Sequence, residues 1–182
     1  MNMARLYKIN SINLVTKLLG IILFMIAFSV DARGVYQTDK DFLSEAFNNE
    51  IPKSKVVWNK GQIRENISSI LGHDYASLRI RYWQDSSQSS WILEEVGKEK
   101  PITFGVTIAN GKVEYVKVLT YRESRGEEIR YPAFTGQFQQ AEINDNRLNR
   151  QVDGISGATM SVRAMTAVVT LALYLAETTV IE

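Results

Sequence analysis

Apolar and polar residues alternate through the middle of the chain, and this pattern predicts β-strands. A turn at Asn110-Gly111 divides two such runs, and that pair favours the type I′ turn of a β-hairpin because both residues tolerate positive φ. The apolar positions of the two runs are Ile102, Phe104, Val106 and Ile108, followed by Val113, Tyr115, Val116, Val118 and Leu119. Residues 56–58, 78–83 and 91–93 also read as extended. Together these segments predict a mostly antiparallel sheet.

Helical spacing of apolar residues occurs on both sides of these strands. We predict a short helix over residues 41–47 with Thr38 or Asp39 as its cap, and another over 62–71 that Gly72 ends. A third helix is expected within 131–140, and a long one runs from Thr159 to about residue 175 or 177. Residues 84–90 are polar and serine-rich and are expected to form a loop, and residues 142–150 are a further polar stretch. The fold class predicted is α+β, a mostly antiparallel sheet flanked by helices.

The first 32 residues have the pattern of an export signal. Arg5, Lys8 and Lys17 form a positive leader, residues 18–30 are uncharged and mostly apolar, and Val30-Asp31-Ala32 suits cleavage after Ala32. The apolar run is shorter than the ~20 residues that a spanning helix needs. A cleaved signal peptide and an uncleaved membrane anchor both remain open. Either places a single domain, residues 33–182, outside the cytoplasm, in the periplasm or anchored at the outer face of the inner membrane.

Charge and composition exclude several function classes. The formal net charge is +1, and removing the leader changes it to −1, so no basic surface for nucleic acid is expected. The chain has no cysteine, which excludes disulfides and iron–sulfur clusters, and its single His73 argues against a zinc or haem site. His73 is expected to be a surface or cap residue. A redox role would therefore depend on an organic cofactor.

The residues 153–159, Asp-Gly-Ile-Ser-Gly-Ala-Thr, open the predicted long helix and carry the strongest chemical signal. Gly154 and Gly157 lack a Cβ, which allows a ligand to approach the backbone closely. A helix N-terminus offers unpaired N–H groups and a positive dipole end, so this turn is a candidate phosphate cradle. The bland alternative is an ordinary helix-capping loop in which Ser156 or Thr159 supplies the cap.

The same seven residues closely resemble the motif of the FMN-binding domain family, which includes flavin-bearing subunits of the Rnf and Na+-translocating NADH:quinone oxidoreductase complexes. The resemblance extends over roughly residues 75–178. It implies that Thr159 carries FMN through a phosphoester bond, and that an FAD:protein FMN transferase attaches the cofactor. It also implies cofactor-binding roles for Asp153, Gly154, Ser156, Gly157 and Ala158, with the phosphate resting on the N–H groups of Gly157, Ala158 and the first helical turn.

A second, looser resemblance lies at Glu123 and Gly126, which match a Glu and a Gly that follow the hairpin in family members. The neighbouring residues depart from the family's Glu-Thr-Pro-Gly form, which makes the flavin-ring pocket less defined than the phosphate site. The aromatic residues nearby could stack on a flavin, and two cations could stabilise its reduced form, but core packing of the aromatics and solvated charges are the favoured interpretation. These residues are Tyr121, Tyr131 and Phe134, and Arg122 and Arg125.

The resemblance implies an electron-transfer flavoprotein that exchanges electrons with membrane or periplasmic redox proteins, rather than a stand-alone catalyst. The chain shows no catalytic triad pattern and no dinucleotide fingerprint. Two other hypotheses stay open. One is a flavin-free binding or assembly module with the same fold, and the other is a reductase acting on an extracellular acceptor such as ferric iron.

Overall fold

A five-stranded antiparallel sheet forms the centre of the protein. The computed structural model describes residues 34–180, and the leader predicted for residues 1–32 lies outside them. The strands follow one another in the order β1-β2-β3-β4-β5 as a simple meander. Their bounds are β1 Lys55–Trp58, β2 Arg79–Gln84, β3 Gln88–Val96, β4 Pro101–Ala109 and β5 Lys112–Thr120. The predicted α+β class with a mostly antiparallel sheet is confirmed.

The hairpin between β4 and β5 forms where the sequence predicts it. Asn110 and Gly111 have φ angles of 53° and 74°, the positive values that a type I′ turn requires. The alternation places Phe104 and Val106 of β4 beside Val118 and Val116 of β5 on one face of the sheet. This apolar face is the one that the last helix covers.

The last helix, Thr159–Val180, packs along the apolar face of the sheet against β3, β4 and β5. Its segment Thr159–Thr179 is long and apolar enough to cross a membrane by length and composition, yet 72% of the most apolar window is buried inside the protein. This burial explains why the helix is apolar, and it agrees with the sequence-based prediction of a helix packed on the sheet. The helix also continues a few residues beyond the predicted end at 175 or 177.

The other face of the sheet carries the helix α1, Asp39–Ala46. The Thr38 hydroxyl accepts a hydrogen bond from the N–H of Asp41 at 3.1 Å, which confirms Thr38 as the cap. Phe42 lies on Gly105 of β4, and a Cβ at Gly105 would lie 2.6 Å from the Phe42 ring. Gly105 therefore lets α1 approach the sheet closely.

The second helix, α2 Gly61–Leu71, ends at Gly72, whose φ of 80° is the left-handed conformation predicted for its C-cap. It packs beside the last helix, with Ile67 fully buried between them and the sheet. The order of elements continues after β5 with α3 Pro132–Thr135, the short strands β6 Ile143–Asn144 and β7 Arg147–Leu148, and α4 Thr159–Val180, the last helix.

Two local predictions were wrong, and the polar stretch 142–150, for which none was made, has regular structure. Residues 88–90 belong to β3 rather than to a loop, because they pair with residues 107–109 of β4, and the Ser90 and Thr107 hydroxyls also bond to each other at 3.0 Å. The helix expected over residues 131–140 is broken into α3 and a 3-10 turn at Gly136–Phe138, preceded by another at Glu127–Arg130. The polar stretch 142–150 forms the β6-β7 hairpin, whose turn residues Asp145 and Asn146 both have positive φ.

Candidate functional site

The N-terminus of α4 lies against the loop that follows β5, and a pocket of about 560 Å³ opens between them. This cofactor pocket is lined by Lys98, Glu123, Ser124, Arg125, Gly157, Ala158, Thr159, Met160 and Ser161. Of the predicted site residues, the structure thus brings together Thr159, Gly157, Ala158 and Glu123. The other three, Asp153, Gly154 and Ser156, do not line the pocket.

Thr159 is the first residue of α4, and it is exposed. The first N–H groups of a helix have no partner within it, so the N–H groups of Thr159, Met160 and Ser161 are free of intrahelical bonds. The N–H of Ala158 differs, because it donates to the carbonyl of Ile155 at 3.0 Å. The phosphate-binding donors of this turn therefore begin at Thr159, whereas the sequence-based expectation included Ala158.

Gly157 fits the role of a close-approach residue, whereas nothing in the structure requires a glycine at 154. Gly157 has a φ of 82°, which L side chains rarely adopt, and a Cβ there would meet no atom within 4 Å. Gly154 has no positive φ and also faces open space. The backbone at Gly157 is therefore open to a ligand because it has no side chain.

Asp153 and Ser156 lie in the exposed segment before the helix. The N–H of Asp153 donates to the Gln137 side-chain oxygen at 2.7 Å, which fixes the segment to the 3-10 turn behind it. Among residues 34–180, no hydrogen bond reaches the Asp153 carboxylate or the Ser156 hydroxyl. Neither side chain is engaged in holding the turn.

Glu123 holds the turn between β3 and β4. One oxygen of its carboxylate accepts hydrogen bonds from the N–H groups of Lys98, Glu99 and Lys100 at 2.6, 2.6 and 2.9 Å. Burial alone would raise the pKa of Glu123, but these three hydrogen bonds outweigh it and lower the pKa. Its role is to place the backbone and side chain of Lys98 at the pocket.

Tyr121 connects the loop after β5 with the first turn of α4 through hydrogen bonds of its hydroxyl. The Ser161 hydroxyl lies 3.0 Å from the Tyr121 hydroxyl, which in turn donates to the carbonyl of Arg125. Burial raises the pKa of Tyr121. A Cβ at Gly126 would come within 2.8 Å of the Ala158 Cβ and 2.9 Å of the Tyr121 oxygen. Gly126 is thus the point where the loop packs on the helix.

The structure separates the predicted ring-stacking residues from the pocket. Tyr121 and Phe134 are buried in the core, so their rings cannot stack on a ligand. The exposed Tyr131 ring lies 4.5 Å from the guanidinium of Arg130, which also lies 4.5 Å from the Tyr36 ring. Arg122 donates to the Pro101 carbonyl and to Thr103 on the sheet. Only Arg125 among these candidates lines the pocket.

Lys98 and Ser161 reach the pocket although no sequence pattern singled them out. Lys98 lies in the β3-β4 turn, which the carboxylate of Glu123 connects with the loop after β5. Ser161 follows Thr159 by two residues, and its hydroxyl is directed to the buried Tyr121. The two cations Lys98 and Arg125, together with the helix N-terminus, make this pocket suited to an anion such as a phosphate.

Residues 97–174 match the family model of the FMN-binding domain. This range contains the turn at 97–100, the loop after β5 and the start of α4, which together supply the whole lining of the cofactor pocket. A search of curated proteins finds no match to the chain. The family predicted from the motif is confirmed for this segment, and the match supports a flavin-binding role.

Proposed function

We propose, from the premise that residues 97–174 form an FMN-binding domain, that Thr159 carries FMN through a phosphoester bond and that the protein transfers electrons outside the cytoplasm. The observation that carries this proposal is the position of Thr159. It is an exposed hydroxyl residue at the first position of a 22-residue helix, and it lines a pocket with two cations.

The residues present fit the phosphate of FMN. The free N–H groups of the first turn of α4 point toward a ligand at the helix N-terminus, and the helix dipole favours its negative charge. Lys98 and Arg125 add full positive charges on the opposite wall, whereas the negative charge of Glu123 is covered by three N–H groups. The remaining pocket volume, bounded by Ser124 and Met160, is where the rest of the cofactor would lie.

Thr159 also fits the attachment reaction that the family implies. Its hydroxyl oxygen would form the bond to the FMN phosphorus of FAD as the diphosphate bridge breaks, so that AMP leaves and the hydroxyl proton is lost to the transferase. A threonine hydroxyl is a weak nucleophile, so activation comes from the transferase, and the target needs only to be accessible. Exposed Thr159 and the open backbone at Gly157 meet this requirement.

Electron transfer is the activity that a tethered flavin supports. Bound FMN supplies chemistry in which one or two electrons are accepted and passed on. The chain contributes a covalent anchor that keeps the cofactor bound. Such an anchor matters outside the cytoplasm, where no FMN pool exists and where the export signal predicted at residues 1–32 would place the protein. The electron donor and acceptor are then membrane or periplasmic redox proteins that approach the exposed pocket.

The proposal is tested by producing the full chain together with an FAD:protein FMN transferase. Flavin fluorescence should survive a denaturing gel, and the intact mass should rise by FMN less one water. Thr159→Ala should abolish both signals. Ser156→Ala is the matched control, because it removes a neighbouring hydroxyl outside the pocket and should leave both signals in place. An unmodified mass beside an active transferase would overturn the proposal in favour of a flavin-free module.

A further inference from the structure

A second, larger cavity lies on the other side of the start of α4. It has a volume of about 860 Å³ and runs between the exposed side of α4, the end of α2, the end of β3 and the β6-β7 hairpin. We call it the arginine groove, after Arg147, Arg150 and Arg163, which line it. Its volume falls in the range of small-molecule sites, roughly 300–1,000 Å³.

Half of the residues that line the groove have apolar side chains. They are Ile70, Leu71, Val96, Leu148, Val152, Met160, Val162, Ala164 and Ala167. Val96 and Met160 are among the exposed large hydrophobic residues of the protein, with 52% and 43% of their surface accessible. A water-exposed lining of this composition favours a ligand with an apolar body.

Two of the three arginines are available to a ligand. Arg150 is engaged, because its guanidinium donates to the carbonyls of Gln137, Gln139 and Gln140 at 3.3, 2.9 and 3.0 Å. Arg147 and Arg163 form no ion pair with any residue of the described range 34–180, and the one polar contact there is that of Arg163 with the Met160 sulfur at 4.0 Å. The groove therefore holds two uncompensated positive charges.

The acidic residue in the groove does not cancel them. Glu95 is 9% exposed, and its carboxylate bonds to His73 at 3.0 and 3.2 Å. The other ring nitrogen of His73 faces the carbonyl of Asp74 at 3.0 Å. Both partners are acceptors, so these hydrogen bonds favour the protonated ring and raise the pKa of His73. The Glu95 carboxylate is thus engaged by His73 rather than by Arg147 or Arg163, and the two arginines keep their positive charges.

The groove is separate from the cofactor pocket. Thr159, Gly157 and the loop residues 123–125 line the cofactor pocket and do not line the groove. Met160 is the residue that the two cavities share, and the neighbours Gly97 and Lys98 face one cavity each. A ligand in the groove would thus lie beside the cofactor without competing for Thr159.

We propose that the arginine groove binds a small aromatic acid, with the ring on its apolar lining and the carboxylate paired with Arg147 and Arg163. Guanidinium groups pair with carboxylates through two parallel hydrogen bonds and also stack on aromatic faces. The Met160 sulfur offers a further favourable contact to a ring. This site goes beyond the proposed flavin attachment and does not depend on it.

The test measures calorimetric binding of three probes to the full chain made without the transferase. The probes are 2-naphthoate, 2-naphthylmethanol, which keeps the ring without the charge, and acetate, which keeps the charge without the ring. We expect 2-naphthoate to bind about tenfold or more tightly than either partial probe. Equal affinity for 2-naphthoate and either partial probe, or no binding of 2-naphthoate up to millimolar concentration at low salt, overturns the proposal.

Substitutions locate the site. Arg147→Gln and Arg163→Gln should each weaken 2-naphthoate binding about tenfold, since each removes a charge-assisted contact. Arg79→Gln is the matched control, because Arg79 is an exposed arginine of β2 outside the groove lining. Unchanged affinity in both groove variants overturns the proposal.

Flavinylation separates this site from the cofactor pocket. Full chain made with the transferase should bind 2-naphthoate as tightly as the same chain made without it. Loss of binding on flavinylation would show that the flavin ring fills the groove, which overturns the proposal while leaving covalent attachment intact. If Thr159 is not flavinylated at all, the calorimetric test of the arginine groove still applies, because it uses protein made without the transferase.

Discussion

Gly126 carries the contact between the loop after β5 and the N-terminus of α4. Its φ is 89°, and a Cβ would meet Ala158, the Tyr121 hydroxyl and Ser161 within 3.2 Å. The positive φ angle and the close packing at position 126 therefore both require a glycine. The loose sequence resemblance at this position thus corresponds to a close approach of two chain segments.

We predict that Gly126→Ala destabilises the protein by about 2–4 kcal/mol, from left-handed strain of about 1–3 kcal/mol and added crowding. The loop would also move away from Thr159, so flavinylation should fall. Gly136→Ala is the matched control, because Gly136 has no positive φ and a Cβ there meets no atom within 4 Å. Urea unfolding of both variants checks this, and equal stability of the two would contradict the packing account.

His73 makes a pH-dependent contribution to stability. Hydrogen bonds to the Asp74 carbonyl and to Glu95 raise its pKa. A raised folded pKa means that the stabilisation is fully present below the unfolded value, about 6.5, and is lost as pH rises through the folded pKa. Half of the His73 side chain is exposed to solvent, and the Asp74 carboxylate is already paired with Arg64, so both weaken the attraction that His73 feels. The contribution of His73 to the free energy of unfolding therefore stays below about 1 kcal/mol.

The measurement compares the free energy of unfolding of the natural protein with that of His73→Gln from about pH 5.5 to pH 8.5. The difference should be largest at the acidic end and should shrink toward the basic end. A difference that grows with pH would show that His73 is bound in its neutral form.

At the scale of elements, the contact between α1 and β4 depends on one missing side chain. Phe42 is fully buried over Gly105, where a Cβ would lie 2.6 Å from the ring. We predict that Gly105→Ala costs about 1–3 kcal/mol through overpacking. In a Phe42→Ala background, where every ring atom is gone, the same change should be neutral or stabilising, because alanine has less backbone entropy to lose.

A double-mutant cycle of unfolding free energies checks this contact. The four proteins are the natural chain, the two single variants and the double variant. Additive effects would mean that the ring and the added Cβ do not meet, and would contradict the close packing of α1 on the sheet.

Sequence reasoning succeeded for elements whose signals are local. The Asn110-Gly111 turn, the Gly72 cap and the Thr38 cap each depend on the chemistry of neighbouring residues, and each forms as predicted. The start of β3 was missed, because Ser89 and Ser90 look like loop residues until β4 supplies Thr107 as the partner of the Ser90 hydroxyl. That pairing joins separate strands, and no local pattern reveals it.

In the candidate site, too, the features that depend on neighbouring residues were predicted and those that depend on distant segments were not. The helix start at Thr159 and the left-handed Gly157 follow from the motif itself. Lys98 and Ser161 were not predicted, since the first is brought in by Glu123 from another hairpin and the second by a buried tyrosine. Tyr121 and Phe134 are buried, as the core-packing interpretation of these aromatic residues predicts, and the alternative of ring stacking on a flavin does not hold for them.

For the whole molecule, the central question is whether α4 belongs to the protein core or to a membrane. Most of its apolar surface is covered by the sheet and by α2, with 72% of the relevant window buried. We predict that protein made from residue 33 onward stays in the aqueous phase of a Triton X-114 separation. Partition into the detergent phase would mean that α4 leaves the sheet and inserts.

Peptide mapping of transferase-treated protein reports directly whether Thr159 carries the covalent flavin. Trypsin cleavage after Arg150 and Arg163 releases the peptide 151–163, which carries three hydroxyls, at Ser156, Thr159 and Ser161. We expect the fragment ions to place the mass of FMN less one water on Thr159. The same mass on Ser156 or Ser161, or a peptide without added mass, would contradict it.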